Sequence, residues 1–591
     1  MGKICRLNGQ PHPLIRTAAL AAIFAFGSAV AQPDIVPEAA SGTRPLQTAH
    51  ARQFIAVTAN PYATDAAYAM LACGGSAVDA AIAAQLVLGL VEPQSSGIGG
   101  GGFLVHWQQQ QQLLQTFDGR ETAPADVDEN YFLDRAGKPI GFYDALVGGY
   151  AVGTPGLLDM LYRAHREHGK LDWAELFQPA ITLAEQGFSV SPRLHALLME
   201  LQKTPKGVSH SALREYFYDH QGKPRPVGYP LKNPAYAATL RLLATEGIEP
   251  FYRGQLAASI ADAVQHDPIQ PGKLSRNDLE NYRSIERKPL CKQVSAYKLC
   301  GMPPPSSGPA TVISIISMLD QLPGYRGYAY NSVAFYHRLA EASKLAFADR
   351  NRYLADPDFV PQPLTQLLTG DYLQQRAMQI TLNKASLNPA QAGNINHQSA
   401  MLAAVSPELP STSQLSIIDA EGNIVSMTSS IETAFGSRIM VGGFLLNNQL
   451  TDFSFTPVDA EQHQIANRIE AGKRPRSSMA PMIVFDETNQ PVLVVGSPGG
   501  ARIIDYVAQT IMQILYQGAD ADASLSSAHV TNTNAQTVVE SGFDALAENL
   551  KQLGHEVSIQ PQTSGIHLIE INNNGYWGVA DPRREGSARG E

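Results

Sequence analysis

The chain has 591 residues, 44% of them hydrophobic and 17% charged, and a formal net charge of -10. That length and balance support a large buried core and exclude a disordered or fibrous chain. An acidic body argues against nucleic acid as a partner, and four cysteines are too few for a disulfide scaffold.

Residues 1–31 have the layout of a secretory signal: Lys3, Arg6 and Arg16 without an acid, an apolar stretch over 18–30, and Ala29-Val30-Ala31 as a small-residue cleavage site. The apolar stretch is shorter than the ~20 residues that span a bilayer. The expectation is an exported chain that starts at Gln32, is periplasmic or extracellular, and has no stable membrane anchor. Residues 32–53 read as a loose polar arm. Two helices follow over 65–91, broken at Gly74-Gly75, the second apolar nearly all round and so buried, with Cys73 a small packed side chain.

Runs at 103–107 and 113–117 predict strands around a glutamine-rich hairpin tip. The periodicity over 156–246 is mostly helical. Cys291 and Cys300 bracket two short strands around a turn, which brings the sulfurs together as a disulfide or as two packed thiols. Three prolines make Met302 to Gly308 an extended loop, and 332–354 is again helical. Residues 383–410 read as an exposed polar linker. The character then changes: 412–419 and 424–430 are β-rich runs joined by a turn, 482–485 and 492–495 form a second pair, and 501–517 is an amphipathic helix with Ile503, Val507 and Ile511 on one face. Helices interspersed with hairpins predict antiparallel sheets covered by helices.

The string Gly97-Ile-Gly99-Gly-Gly-Gly102 satisfies a dinucleotide pattern formally, but a helix precedes it and a strand follows, the reverse of a phosphate-binding loop. It reads as a tight backbone turn. No Cys/His group has zinc spacing, so neither metal nor cofactor is expected. Gly496-Ser-Pro-Gly-Gly500 joins a strand to a helix; its adjacent glycines leave N–H groups open for an oxyanion, or form a plain turn. Lys473-Arg474-Pro-Arg476-Ser477-Ser478 is either a solvated basic run or part of a carboxylate pocket. Thr412 opens a strand directly after the linker. Were the Ser411–Thr412 bond cut, Thr412 would own a hydroxyl and an α-amine of pKa near ~8 able to serve as its base.

Taken together, Thr412-Ser-Gln-Leu-Ser-Ile-Ile-Asp419, Phe435-Gly436, Leu446-Asn-Asn-Gln449 with Asp452, Arg474-Pro-Arg-Ser-Ser-Met479 and Gly496 to Gly500 resemble the γ-glutamyltransferase family in order and spacing. So do Glu92 to Gly102, Arg120-Glu-Thr-Ala-Pro124, Met302 to Gly308 and Leu345-Ala-Phe-Ala-Asp349. The resemblance implies an α+β fold, the four-layer αββα sandwich of N-terminal nucleophile hydrolases. It implies a precursor that cuts itself between Ser411 and Thr412 into a large subunit, 32–411, and a small catalytic one, 412–591, which together form one αββα unit. Thr412 would then cleave γ-glutamyl amides such as glutathione and pass the group to water or to amino acid and peptide acceptors.

Position by position, the resemblance assigns the oxyanion to the N–H groups of Gly499 and Gly500 and the donor α-carboxylate to Arg120, Ser477 and Ser478. It assigns the α-amine to Glu432, Gln449 and Asp452, and makes Ser430 the second hydroxyl that supports the nucleophile. Three departures stand out: Gln414 replaces a histidine common in the family, Glu432 takes a place that is Asn in some members, and no Tyr lies between Asp452 and Ser477 to form a lid. The alternatives are a cephalosporin or glutaryl acylase on the same scaffold, which would not need a complete α-amino-acid clamp, and a binding protein that keeps the fold but never cuts.

Overall fold

The computed structural model describes residues 41–395 and 411–591; the signal expected over 1–31 and the last part of the expected linker, 396–410, lie outside the described residues. Two seven-stranded antiparallel sheets form the centre. One runs Ser587–Gly590, Ile55–Thr58, Thr412–Ile418, Ile424–Ser430, Gly101–Gln108, Leu113–Gly119, Ile285–Arg287. The other runs Gln47–Ala51, Gly575–Ala580, His567–Asn572, Pro491–Val495, Met482–Phe485, Tyr297–Gly301, Leu290–Val294.

Strand alternation builds the layers. Ile55, Val57, Val105, Trp107, Ile418 and Ile424 of the first sheet meet Ile483, Phe485, Val494 and Ile569 of the second. The opposite face of the first sheet, with Leu104, Leu415, Ile417, Val425 and Met427, lies under the helices Pro61–Ala72, Ala77–Val91 and Leu157–His168. Met482, Val484, Leu493 and Val495 pack under Gly308–Asp320, Val333–Tyr353 and Ile503–Ile511. The result is helix, sheet, sheet, helix. Each such fully buried side chain contributes roughly 1.5–3 kcal/mol, so both interfaces lean on residues from either side of Thr412.

Local chemistry sets the ends of these elements. Pro61 occupies the first turn behind Asn60, whose Oδ1 accepts from Tyr62 N–H at 3.1 Å. Ser76 and Asp79 form a capping box that opens the Ala-rich helix. The hairpin Thr412–Ile418/Ile424–Ser430 keeps an unbroken register from Thr412↔Ser430 to Ile418↔Ile424. Asp419 closes its turn by accepting from the N–H groups of Glu421 and Asn423. Cys291 and Cys300 are cross-strand partners joined as a disulfide.

Three expectations are corrected. The arm read as loose contains the strand Gln47–Ala51, paired from Gln47↔Ala580 to Ala51↔Tyr576, because the edge of the second sheet supplies backbone partners that local composition does not reveal. Cys73 is exposed, since the helix ends at Ala72 and leaves it as the cap. The segment expected as one helix over 501–517 is a helix only over Ile503–Ile511, entered through a tight 3₁₀ turn and left through a π-type turn, Met512–Tyr516. Among the described residues no helix is long and apolar enough to cross a membrane.

Candidate active site

The space between the sheets changes character along the central hairpin. At one end Ile418 and Ile424 are packed among apolar side chains. Toward the other, Thr428 Oγ1 donates to Gln414 Oε1 at 2.6 Å, and Gln414 Nε2 donates to Ser426 Oγ at 3.1 Å and to the Leu415 carbonyl at 2.8 Å. Gln414, which stands where many members of the resembled family have a histidine, is thus occupied holding the hairpin. One step further along the same face lies Thr412, and there the sandwich opens into a narrow cavity.

That cavity is lined by Arg120, Thr412, Ser430, Glu432, Gln449, Asp452, Ser477, Ser478 and Gly500, with Met479 and Ile503 as its apolar wall. Nine of the ten positions assigned to catalysis and substrate from sequence therefore converge on it. Gly499 is next to the lining residue Gly500 in the chain but is not itself in the lining.

Thr412 Oγ1 donates to Ser430 Oγ at 3.5 Å. Ser430 Oγ also accepts from the Glu432 N–H at 2.9 Å and donates its own proton to the Ser411 carbonyl oxygen at 2.7 Å. The carbonyl of the bond expected to break is thereby held by the hydroxyl beside Thr412. Ser411 Oγ donates to the Gln94 carbonyl, and Arg584 Nη1 holds the Thr412 carbonyl at 3.0 Å. Glycine is needed behind this pair: a Cβ on Gly100 would stand 2.1 Å from the Ser430 carbonyl oxygen.

Glu432 has φ 77°, a left-handed conformation that costs a β-carbon-bearing residue of order 1–3 kcal/mol. Gln449, in the short turn Gln449–Asp452, donates through Nε2 to Glu432 Oε2 and to Asp452 Oδ2, both at 2.9 Å. Asp452 Oδ2 is also bonded to Arg120 Nη2. Arg120 is anchored from the other side, Nε on the Pro475 carbonyl and Nη2 on that of Arg476, both at 3.1 Å. Acidic groups and a guanidinium thus meet, buried, at one end of the cavity, with Arg120 bonded directly to Asp452.

Three contributors were given no role from the sequence. Glu121, beside Arg120, is fully buried; desolvation pushes its carboxyl up to about 8 against the pull of Arg120. Arg350 donates to Ser478 Oγ at 2.6 Å and to Ser307 Oγ at 2.8 Å. It is legible only as a charged residue in a helix that has few exposed positions. The proline-rich loop backs the same stretch: Ser307 N–H and Oγ both donate to the Ser477 carbonyl at 2.7 Å, and Ser477 N–H donates to the Pro305 carbonyl at 2.9 Å.

The basic run is no solvated face. Lys473 and Arg476 are buried; Lys473 pairs with Glu470 at 2.8 Å, and Arg474 lies 3.5 Å from Asp118. At the strand-to-helix junction Gly499 has φ 140° and Gly500 φ 57°, and neither N–H has an acceptor among the described residues.

Among the described residues, His337, Glu341 and His555 form a buried group whose ligand atoms lie within 4.8 Å of one another. A metal ion does not fit this arrangement. Lys344 Nζ is 2.6 Å from Glu341 and takes the cation's place, and the histidines are bonded to each other, Nδ1 of His337 to Nε2 of His555 at 2.7 Å. Since His337 Nε2 faces the Thr381 carbonyl at 2.8 Å, its proton is there and His555 Nε2 is the donor. Burial lowers both groups, His555 to about 4 with His337 adding to the effect. The unfolded chain, with histidines near ~6.5, binds more protons between pH 6.5 and 4, so stability falls as pH drops through that window. We expect His555→Gln to flatten the decline of Tm over that range, where the latch costs on the order of 3 kcal/mol; an unchanged slope would assign the acid lability elsewhere.

The sandwich and its strand-borne hydroxyl define the class: this is an N-terminal nucleophile hydrolase fold. It superimposes on the cephalosporin acylase from Bacillus halodurans with a TM-score of 0.79, covering 94% of this chain and 99% of that one at 25% identity. More narrowly, the chain belongs to the γ-glutamyltranspeptidase family, whose model matches residues 63–591. It is 35% identical to the glutathione hydrolase proenzyme of Bacillus subtilis strain 168 over 90% of both chains. It is 32% identical to that of Escherichia coli K12 over 96% of this chain and 97% of the relative.

Proposed function

We propose that the chain is an exported precursor that cuts itself before Thr412 and then transfers γ-glutamyl groups from amides such as glutathione to water or to amino acid and peptide acceptors. The observation that carries this is the convergence on one cavity of Thr412, a cationic and hydroxyl set, Arg120, Ser477 and Ser478, and an acidic and amide set, Glu432, Gln449 and Asp452. The first suits an α-carboxylate and the second an α-ammonium. Arg120 and Asp452, bonded to each other in the uncut chain, would each exchange that partner for one end of the donor.

In the cleavage step Thr412 Oγ adds to the Ser411 carbonyl carbon while its proton passes to Ser430 Oγ, and the Ser430 proton passes to the carbonyl oxygen. The C–N bond then breaks as the intermediate's hydroxyl proton is handed to the nitrogen, which becomes the α-amine of Thr412 and leaves an ester that water hydrolyses to the Ser411 carboxylate and the free Thr412 hydroxyl. The amine next serves as base for the same hydroxyl. The hydroxyl oxygen adds to the γ-carbonyl of the donor, the N–H groups of Gly499 and Gly500 receive the oxyanion, the amine product leaves with the proton the α-amine had taken, and water or an acceptor amine takes the γ-glutamyl group from the threonine ester.

The test is a comparison of γ-glutamyl anilide with glutaryl anilide, which keeps the distal carboxylate but lacks the α-amine. We expect a preference for the γ-glutamyl compound of roughly 10² or more in kcat/KM, because unpaired buried polar groups reject the incomplete substrate. Equal rates would favour an acylase. A second expected result concerns Arg120. Arg120→Lys keeps a charge against Asp452 but loses the two-pronged donor, so the protein should still be cut while donor KM rises about tenfold or more. An unchanged KM would place the carboxylate elsewhere.

A further inference from the structure

The face of the central hairpin turned away from the cavity is apolar, with Leu415, Ile417, Val425 and Met427 lying under the Ala-rich helix. Two hydroxyls interrupt it at its last positions, Ser413 and its cross-strand partner Ser429. Hydroxyls buried there are costly unless bonded. The partner is Gln85, a glutamine in the middle of the otherwise apolar helix Ala77–Val91. Gln85 Oε1 accepts from Ser429 Oγ at 2.6 Å and Gln85 Nε2 donates to Ser96 Oγ at 3.3 Å. Ser96 Oγ in turn donates to Ser413 Oγ at 3.0 Å. The chain of bonds runs from one strand through the helix and a loop to the other strand.

Its place in the sequence is telling, because Ser413 follows Thr412 and Ser429 precedes Ser430. The same loop holds the flanking backbone: Ser95 accepts from the Ile431 N–H at 3.2 Å and the Gln94 carbonyl accepts from Ser411 Oγ. The hairpin's register does not depend on Gln85, being fixed by backbone pairs as far as Ile418↔Ile424. What the network adds is restraint at the reacting end. There the Thr412–Ser430 contact is already long at 3.5 Å, and cleavage would make Thr412 a chain terminus, where strands fray.

We infer that Gln85 is a positioning residue, tying Ser413 and Ser429 so that the Thr412 and Ser430 hydroxyls stay aligned through self-cleavage and turnover. The inference rests on the reading of Thr412 given above. Gln85→Met keeps the length and apolar fit but none of the bonds, whereas Gln85→Glu, protonated in this setting, keeps the acceptor and a donor. In the full-length protein we expect Gln85→Met to fold, to cut itself at least tenfold more slowly, and once cut to show kcat about tenfold lower with donor KM unchanged. Gln85→Glu should recover most of both rates.

A Gln85→Met protein with normal cleavage and kcat, or with its loss confined to KM, overturns the inference. So does a Gln85→Glu protein as slow as the Met variant. If Gln85→Met does not fold, Ser96→Ala cuts the same chain at its far link and is read by the same criteria. Thr412→Ala in parallel separates the two levels: if it is still cut, the underlying reading fails, whereas if it stays whole beside a normal Gln85→Met protein, only the positioning role does.

Discussion

Thr412→Ala is expected to remain a single polypeptide, with no detectable small chain by intact mass and no γ-glutamyl turnover. The substitution removes one hydroxyl and one methyl from the first residue of a strand whose register is fixed by seven cross-strand pairs, so folding should survive. What it takes away is the hydroxyl proposed to attack the Ser411 carbonyl in the relay through Ser430. Thr412→Ser keeps that atom and should cut, more slowly because the unbranched side chain has freer χ1 rotation. Both proteins should melt within a few degrees of the parent, which separates loss of chemistry from loss of fold. A Thr412→Ala protein that still yields a chain starting at residue 412 would mean that another protease makes the cut, and the self-cleavage relay would have to be abandoned.

The sequence was most informative where a local pattern and a chemical demand coincide. Thr412 at a linker-to-strand change, the hairpin turn at Asp419 to Asn423, and the cysteines at Cys291 and Cys300 each carry their own punctuation, and each element stands where the pattern puts it. The partners that finish the site do not. Glu470 lies only three residues from Lys473, yet nothing local tells that this ammonium is buried, and nothing near Arg350 tells that it reaches Ser478 across the fold. Charge in a helix or loop reads as solvated until tertiary packing supplies its partner. The strand Gln47–Ala51 was hidden for the same reason, since its backbone partners lie at the other end of the chain. The clamp residues were legible only as a set, through resemblance; singly, a glutamine or a serine in a loop says nothing.

Gly499→Ala should divide the two reactions that Thr412 is proposed to perform. In the uncut chain the Ser411 carbonyl oxygen is held by Ser430, not by the glycine pair, so cleavage should proceed within a few-fold of the parent rate. Turnover is proposed to use a different carbonyl, that of the donor, with Gly499 and Gly500 as its oxyanion donors. At φ 140° an added Cβ is strained, and it would meet the Tyr506 ring at 2.6 Å. Tyr506 has little freedom to retreat, being buried and hydrogen-bonded to Gln562. The backbone must therefore turn, and an N–H that turns away is a lost oxyanion donor, worth about 10²–10³ in kcat. The expected outcome is a fully cut protein with kcat down by that factor and donor KM little changed. Equal losses in cleavage and turnover would show that both pass through one oxyanion site, and that the Ser430 contact to Ser411 is a resting arrangement abandoned before the bond breaks.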